Sequence, residues 1–302
     1  MIAFDEGLSD VSWADRIDLF RWSLAASLAA GIVCPLAGAF LYVRRTSFQG
    51  IALPQFATAG VVFGFVVLPW WAARVGLGGI SVDTALSDTH AAMNYHLVWA
   101  AVFTFGGLAL LVWTGRRGLG SEIGRVAAAF ALANAATYLF GRLSPVGKGH
   151  ADELLTGEVL GVGPHEFETL AVVLGLALVL LVWFRRDFVF TSYDREAAQV
   201  LGKPVGRFEL LLNAIIGLVV AVGTMTLGPT MLFGLLVLPP LAARRLAGSM
   251  EQFLALAPFL GLLAVVGGVV FSFEFDCPLG PSIVAVAGLG LLAYLVPRAK
   301  RV

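Results

Sequence analysis

The chain has 302 residues, 59% apolar and 13% charged, with twenty basic and twenty acidic side chains and no net charge. That composition lies outside the range of an ordinary soluble domain and excludes one. The zero balance itself is silent on partners, but the distribution of the charges is not.

No charged residue falls within 22–43, 51–73, 97–115, 126–141, 169–184, 210–243, 254–273 or 277–297. Most of these stretches match the roughly 20 residues a helix needs to cross hydrocarbon. The stretch 210–243 is too long for one crossing, because 34 residues of helix would run about 51 Å against a core of about 30 Å. It contains LGPT at 227–230, a natural break. The prediction is an all-α, polytopic integral membrane protein with eight or nine transmembrane helices.

Residues 1–20 carry Asp5, Glu6, Asp10, Asp15 and Asp18 ahead of the first apolar stretch, unlike the basic start of a signal peptide. They read as an N-terminal external segment, with the transmembrane domain over 21–302. The first span, LAASLAAGIVCPLAGAF at 24–40, and GRVAAAFALANAATYLFG at 124–141 are rich in small residues, which let membrane helices approach closely. Between them RRTSFQGIALPQFATAG, 44–60, puts Pro54 and Gln55 one turn into a new apolar run. Proline removes a backbone donor there and is expected to kink the helix and free a carbonyl. Cys34 and Cys277 fit neither a disulfide framework nor a metal cluster by spacing and read as packing residues.

The four histidines, His90, His96, His150 and His165, fall in outer loops or at helix edges, accompanied by Asp83, Asp88, Asp152, Glu153, Glu158, Glu166, Glu168, Glu274 and Asp276. A cation-concentrating vestibule is one reading. Ordinary solvated loops are the preferred one, because no histidine pair has helical ligand spacing. GRLSPVGKG, 141–149, falls short of a phosphate loop: its second glycine is one place late and no Ser or Thr follows Lys148. The spans hold no catalytic set, so any ATP used must be hydrolysed by another chain.

WFRRDFVFTSYDREAAQVLGKPVGRFE, 183–209, leaves the membrane, forms a short charged helix and returns. Ser192 can cap it, Asp194, Arg195 and Glu196 open it, Ala197 and Ala198 give it a small face, and Gly202 ends it before Pro204. Shape alone leaves two readings open, a docking element for another protein or a well-capped connector. Polar residues within spans are sparse: Gln55, Thr58, Asn134, Thr137, Asn213, Thr224 and Thr226. Such groups tend to face a bundle interior or a water-filled path. Helix–helix hydrogen bonding explains Asn134 and Asn213, and Met225 could offer a soft thioether.

If the stretches alternate and 210–243 crosses twice, fifteen of the twenty basic residues share one side and fourteen of the twenty acidic ones the other. The basic bias predicts a cytoplasmic C-terminus and an external N-terminus.

Several segments carry a family resemblance. TMTLGPTMLFGLLVLPPLAARRLAG, 224–248, resembles a segment of the ABC-3 family, permeases of zinc/manganese-type ABC transporters, through Gly228, Pro229, Leu235, Leu236, Pro239, Ala242, Ala243 and Arg244. YDREAAQVLGKPV, 193–205, is similar to its cytoplasmic D-x-x-x-A-x-x-x-G through Asp194, Ala198 and Gly202. SFEFDCPLGPSIV, 272–284, resembles its S-x-x-x-D-x-P-x-G-x-x-I-V through Ser272, Asp276, Pro278, Gly280, Ile283 and Val284. SEIGRVAAAFA and LLTGEVLGV look like its middle helices, so the resemblance runs from about Arg44 to about Pro297.

The resemblance implies a type II ABC importer-like permease in a bacterial inner membrane, not itself an enzyme and binding no cofactor of its own. Its implied partners are ATP-using ABC ATPase subunits, a second permease (identical or different), an extracytoplasmic solute-binding protein and membrane lipid, with no nucleic acid. Segment 185–207 would be the coupling segment, with Asp194, Ala198 and Gly202 at the ATPase. Where the family typically reads R-R-x-S-L-x-G-D-A-x-S-H, this chain has Ile51 in place of Asp and Gln55 in place of His. Residues four apart share a helix face, and a carboxylate with an imidazole there suits a transition metal. An amide oxygen is a weaker ligand and Ile51 is none, so the choice of metal does not follow. Gln55, Thr58 and Met225 are the expected path-lining groups. Zinc or manganese, or else iron, is the expected cargo. The alternatives are a metal chelate or small organic solute, or a binding or scaffold protein that has lost transport. A secondary carrier is disfavoured, since no charged residue sits mid-membrane to bind a coupling ion.

Overall fold

The computed structural model describes residues 13–74, 93–118, 120–144 and 162–295. In chain order the helices are α1 (Trp13–Leu19), α2 (Arg21–Val43), α3 (Gln49–Arg74), α4 (Met93–Arg116), α5 (Glu122–Leu143) and α6 (Pro164–Trp183). Two short helices follow, α7 (Arg185–Tyr193) and α8 (Arg195–Val200). The chain then forms α9 (Val205–Leu227), α10 (Pro229–Leu246), α11 (Met250–Phe275) and α12 (Leu279–Leu289), extended by a 3-10 turn over Gly290–Leu295. No strand occurs among the described residues.

Gly228 alone separates α9 from α10. Its backbone takes φ 78° and ψ 157°, which glycine adopts without a Cβ penalty, and Pro229 then opens α10, where its missing N–H has no intrahelical partner to lose. The long apolar stretch is thus divided where LGPT predicts. Seven described helices, α2 to α6, α9 and α11, are long and apolar enough to cross a membrane. The 18-residue α10 and the shorter α12 account for the two remaining apolar stretches.

Burial sorts these helices into an inner and an outer set. Of their apolar windows, 72% of α2 and 67% of α3 and of α9 is buried, against 22–33% for α4, α5, α6 and α11. The outer helices expose stripes at helical spacing: Val172, Leu176, Val179 and Trp183 on α6, and Phe259, Leu263, Val266 and Val270 on α11. Steps of four, three and four keep each stripe on one face. In water such stripes would drive aggregation; in a bilayer they meet acyl chains.

Lipid supplies little hydrophobic drive between helices, so close backbone approach holds the bundle together. The predicted small-residue stretch of α2 does this twice. A Cβ on Gly38 would lie 1.9 Å from the Leu236 carbonyl oxygen of α10, and one on Gly261 of α11 would lie 2.2 Å from the Gly31 carbonyl oxygen of α2. On the far side of the bundle α3 packs against α4 and α5, and α9 bridges to α3, α4 and α6.

The SFEFDCPLG motif is the corner between α11 and α12. Asp276 takes a left-handed φ of 48° as the C-cap, the Ser272 hydroxyl donates to the Cys277 carbonyl at 2.6 Å, and Pro278 is the N-cap of α12. From α1, Arg16 donates to the Phe273 carbonyl at 2.7 Å and lies 3.7 Å from the Asp276 carboxylate. Cys34 is fully buried and Cys277 half-buried, and both are free thiols, as packing roles require.

Candidate transport path and docking segment

Gln55, Thr58 and Met225 sit on two inner helices that pack against each other, the first two on α3 and the third on α9. α3 runs unbroken through Pro54 from Gln49 to Arg74. The Thr58 hydroxyl donates to the Pro54 carbonyl at 3.0 Å; the carbonyl that the proline leaves without its helical N–H partner is that of Gly50, one turn earlier. Thr58 is buried with its hydroxyl turned back on its own helix, an i−4 bond common for Thr in helices. Gln55 differs. Its Oε1 is buried and has no hydrogen-bond partner, and leaving such an atom unsatisfied costs about 1–3 kcal/mol. In α9 the Thr224 hydroxyl oxygen is likewise buried and without a partner, while Thr226 donates to the Val222 carbonyl at 3.1 Å. Met225, between them, is half-buried. Unsatisfied buried oxygens in a native fold call for a water, an ion or a ligand. Thr224 belongs with Gln55 on that ground. The sequence marks it as a polar residue in a span but does not show that its hydroxyl lacks the i−4 bond that Thr226 makes.

Ile51 lies one turn before Gln55, partly buried. With a branched alkyl side chain and an amide where the family has a carboxylate and an imidazole, this face carries no formal charge. Among the described residues no group of three or more His, Cys, Asp or Glu is placed to hold a metal ion.

The second feature is the segment 185–207. α7 is anchored by Phe188, whose ring packs edge-on against Phe40 of α2 at 5.8 Å and near Phe184 and Phe208. Asp194, not Ser192, caps α8: its carboxylate accepts from the Ala197 N–H at 2.9 Å, and Ser192 is still inside α7. Gly202 closes α8 at φ 72°, with its N–H on the Gln199 carbonyl and the Lys203 N–H on the Ala198 carbonyl, both at 3.0 Å. Those two bonds make a Schellman end. Two ion pairs brace the segment, Arg195 to Glu209 at 2.6 Å and Lys203 to Asp187 at 2.8 Å.

Ala198 does not form an outward small face. It is fully buried, and its size lets α8 lie close on the rest of the chain. Three apolar side chains stand exposed there, Val200 at 87%, Leu201 at 71% and Tyr193 at 79%, among the exposed polar residues Asp194, Arg195, Glu196 and Gln199. Beside it Arg44, at the end of α2, donates to Asn213 of α9 at 2.6 Å, the helix–helix bond the sequence suggests for Asn213. Burial pulls the Arg44 guanidinium below its ordinary pKa, Glu209 opposes that shift and Arg195 adds to it. Asp194→Ala removes one cap and is expected to cost about 1 kcal/mol, seen as a lower unfolding midpoint and faster amide exchange over residues 194–203.

The histidines do not gather. His96 lies at a helix edge, in the first turn of α4, but is fully buried with its ring 4.0 Å from that of Phe65, so it is a packing residue rather than a solvated one. His165 is exposed, 3.6 Å from Glu168. His90, His150, the acidic residues at 83, 88, 152, 153 and 158, LLTGEVLG and the lysine of GRLSPVGKG lie outside the described residues.

Inner helices dotted with polar groups, an outer set with lipid-facing stripes and a braced extramembrane segment on the arginine-rich face define an all-helical, polytopic membrane protein. Residues 16–297 match the ABC 3 transport family, and the chain belongs to that family. It is 26% identical over 275 residues to the manganese transport system membrane protein MntC of Halalkalibacterium halodurans, covering 88% of this chain and 82% of that one. It is 29% identical over 285 residues to the zinc transport system membrane protein TroC of Treponema pallidum, covering 89% and 86%. Its fold is similar to that of a chain in PsaBC from Streptococcus pneumoniae in complex with Fab, with a TM-score of 0.74 at 21% identity over 94% of this chain and 95% of that one.

Proposed function

We propose that the chain is the permease subunit of an ATP-driven importer for a divalent transition metal, zinc or manganese, or else iron. Membership of the ABC 3 transport family over nearly the whole chain carries this reading. It is supported by relatives named for manganese and zinc transport. In it the permease sits in a bacterial inner membrane, C-terminus in the cytoplasm and N-terminus outside, paired with a second permease. A solute-binding protein delivers cargo at the outer face. ATP is hydrolysed by separate subunits against which α8 seats, with Asp194, Ala198 and Gly202 shaping that helix and Val200, Leu201 and Tyr193 making the contact. Cargo passes Gln55 and Met225, where the buried oxygens of Gln55 and Thr224 await a partner.

A second reading, a chelated metal or small organic cargo, is favoured by one observation: Ile51 and Gln55 leave this face of α3 without a charged ligand. Uptake assays separate the two. Cells carrying the full transporter should accumulate radioactive manganese or zinc, and Gln55→Ala should lower that uptake at least tenfold at unchanged membrane yield. Wild-type cells that take up the chelate but not the free ion would replace the first reading with the second. Unchanged uptake by Gln55→Ala removes Gln55 from the path.

A further inference from the structure

A cleft of about 760 Å³ opens between α2, α6, α7 and α11. Its walls are apolar, with Leu36 from α2, Val182 from α6, and Leu254 and Pro258 from α11. Its mouth carries Arg185, Arg186 and Arg244, opposed by Glu251 alone. All three arginines are exposed, and none is in an ion pair with a described residue. A second cavity of about 770 Å³ continues from the mouth. The two share Tyr193, Arg244 and Met250, and the second adds Arg44, Arg45, Ser47 and Ser249. One end of the combined space is therefore hydrocarbon-like and the other is basic and hydroxylated.

Its depth says what can fill it. Along α11 the apolar lobe runs from Met250 to Pro258, about 12 Å of helix, which is less than half of the roughly 30 Å hydrocarbon core. A partner's transmembrane helix would need the whole thickness, whereas a single lipid needs one leaflet. The lobe lies between α6 and α11, two helices whose other faces are already turned to lipid, so acyl chains have lateral access. Three arginines against one carboxylate leave an excess of positive charge at headgroup level, and guanidinium pairs well with phosphate.

We propose that this cleft is a binding site for an anionic phospholipid of the leaflet at the arginine end, with phosphate on Arg185, Arg186 and Arg244 and acyl chains along Val182, Leu254 and Pro258. The site depends on the chain spanning a membrane and not on which cargo it carries, so a failed uptake assay leaves it standing.

The test uses the transporter purified in detergent and stripped of lipid, then titrated with phosphatidylglycerol or with phosphatidylcholine of the same chains. Native mass spectrometry and the unfolding midpoint are read. Phosphatidylglycerol should be retained at a concentration at least tenfold lower than phosphatidylcholine. Arg185→Gln/Arg186→Gln/Arg244→Gln should abolish that preference, and Arg116→Gln/Arg117→Gln, outside the cleft, should keep it. If the triple variant fails to fold, Ala255→Trp, which fills the apolar lobe from an exposed position, should displace the lipid instead. Equal retention of the two lipids by the wild type overturns the proposal. So does equal protection by soluble glycerol phosphate, which would make the site one for free phosphate. A triple variant that keeps the lipid preference but loses a co-purifying ATPase would assign the arginines to a protein interface and also overturn it.

Discussion

Gly38→Val leaves little folded protein in the membrane. The first carbon of any side chain there would lie 1.9 Å from a backbone oxygen of α10, and neither backbone can move without opening the bundle. Overpacking a well-packed site costs about 1–3 kcal/mol, occasionally more, and the upper end or beyond is expected where the obstacle is main chain rather than a flexible side chain. The measurement is detergent-extractable, monodisperse protein and its unfolding midpoint. Gly175→Val is the control, since a Cβ at Gly175 meets nothing within 4 Å and the site lies on the exposed face of α6. Equal yields for the two variants would show that α2 and α10 do not approach as described.

The second large effect separates docking from folding. Val200→Asp/Leu201→Asp changes two side chains that are exposed at the end of α8, the second at its C-cap, and carry no part of the core, so the permease itself should keep its yield and midpoint. If those residues seat in an ATPase, burying two carboxylates there without partners is strongly unfavourable. Co-purification of the ATPase and uptake should then both fall at least tenfold, which corresponds to about 1.4 kcal/mol or more of lost binding. Gly202→Val should act on the same readouts by another route, since its φ of 72° is strained for a side-chain-bearing residue. A double variant that still binds its ATPase fully would place the contact elsewhere.

These features differ in how far they can be read from the residues alone. The helix break at Gly228 was legible because glycine followed by proline both permits the turn and prevents the helix continuing. So was Gly202 as a helix end. The cap of α8 was legible in kind but not in position. Ser192 and Asp194 are both good caps two residues apart, and the choice fell to Asp194 because α7 stays helical to Tyr193. Which face of α8 is buried was not legible, since six residues give less than two turns of periodicity. Ala198 turns inward, and the exposed valine and leucine follow from that. The pairs Arg195–Glu209 and Lys203–Asp187 join residues 14 and 16 apart, beyond any helical spacing rule. His96 sits one residue before an uncharged stretch and reads as a solvated helix-edge residue until Phe65 of α3 is brought against it. Gln55 was legible as an anomaly against the family pattern. Its lack of a partner depends on how α3 packs with its neighbours.

The most direct test is transport by purified components in sealed vesicles. With the paired permease, the ATPase subunits, the loaded binding protein on one side and ATP on the other, metal should accumulate, and ATP hydrolysis should rise when the loaded binding protein is added. Omitting the ATPase or the nucleotide should return accumulation to the leak of empty vesicles. Accumulation by the permease alone, undiminished without ATP, would contradict the reading of this chain as the passage of an externally powered importer.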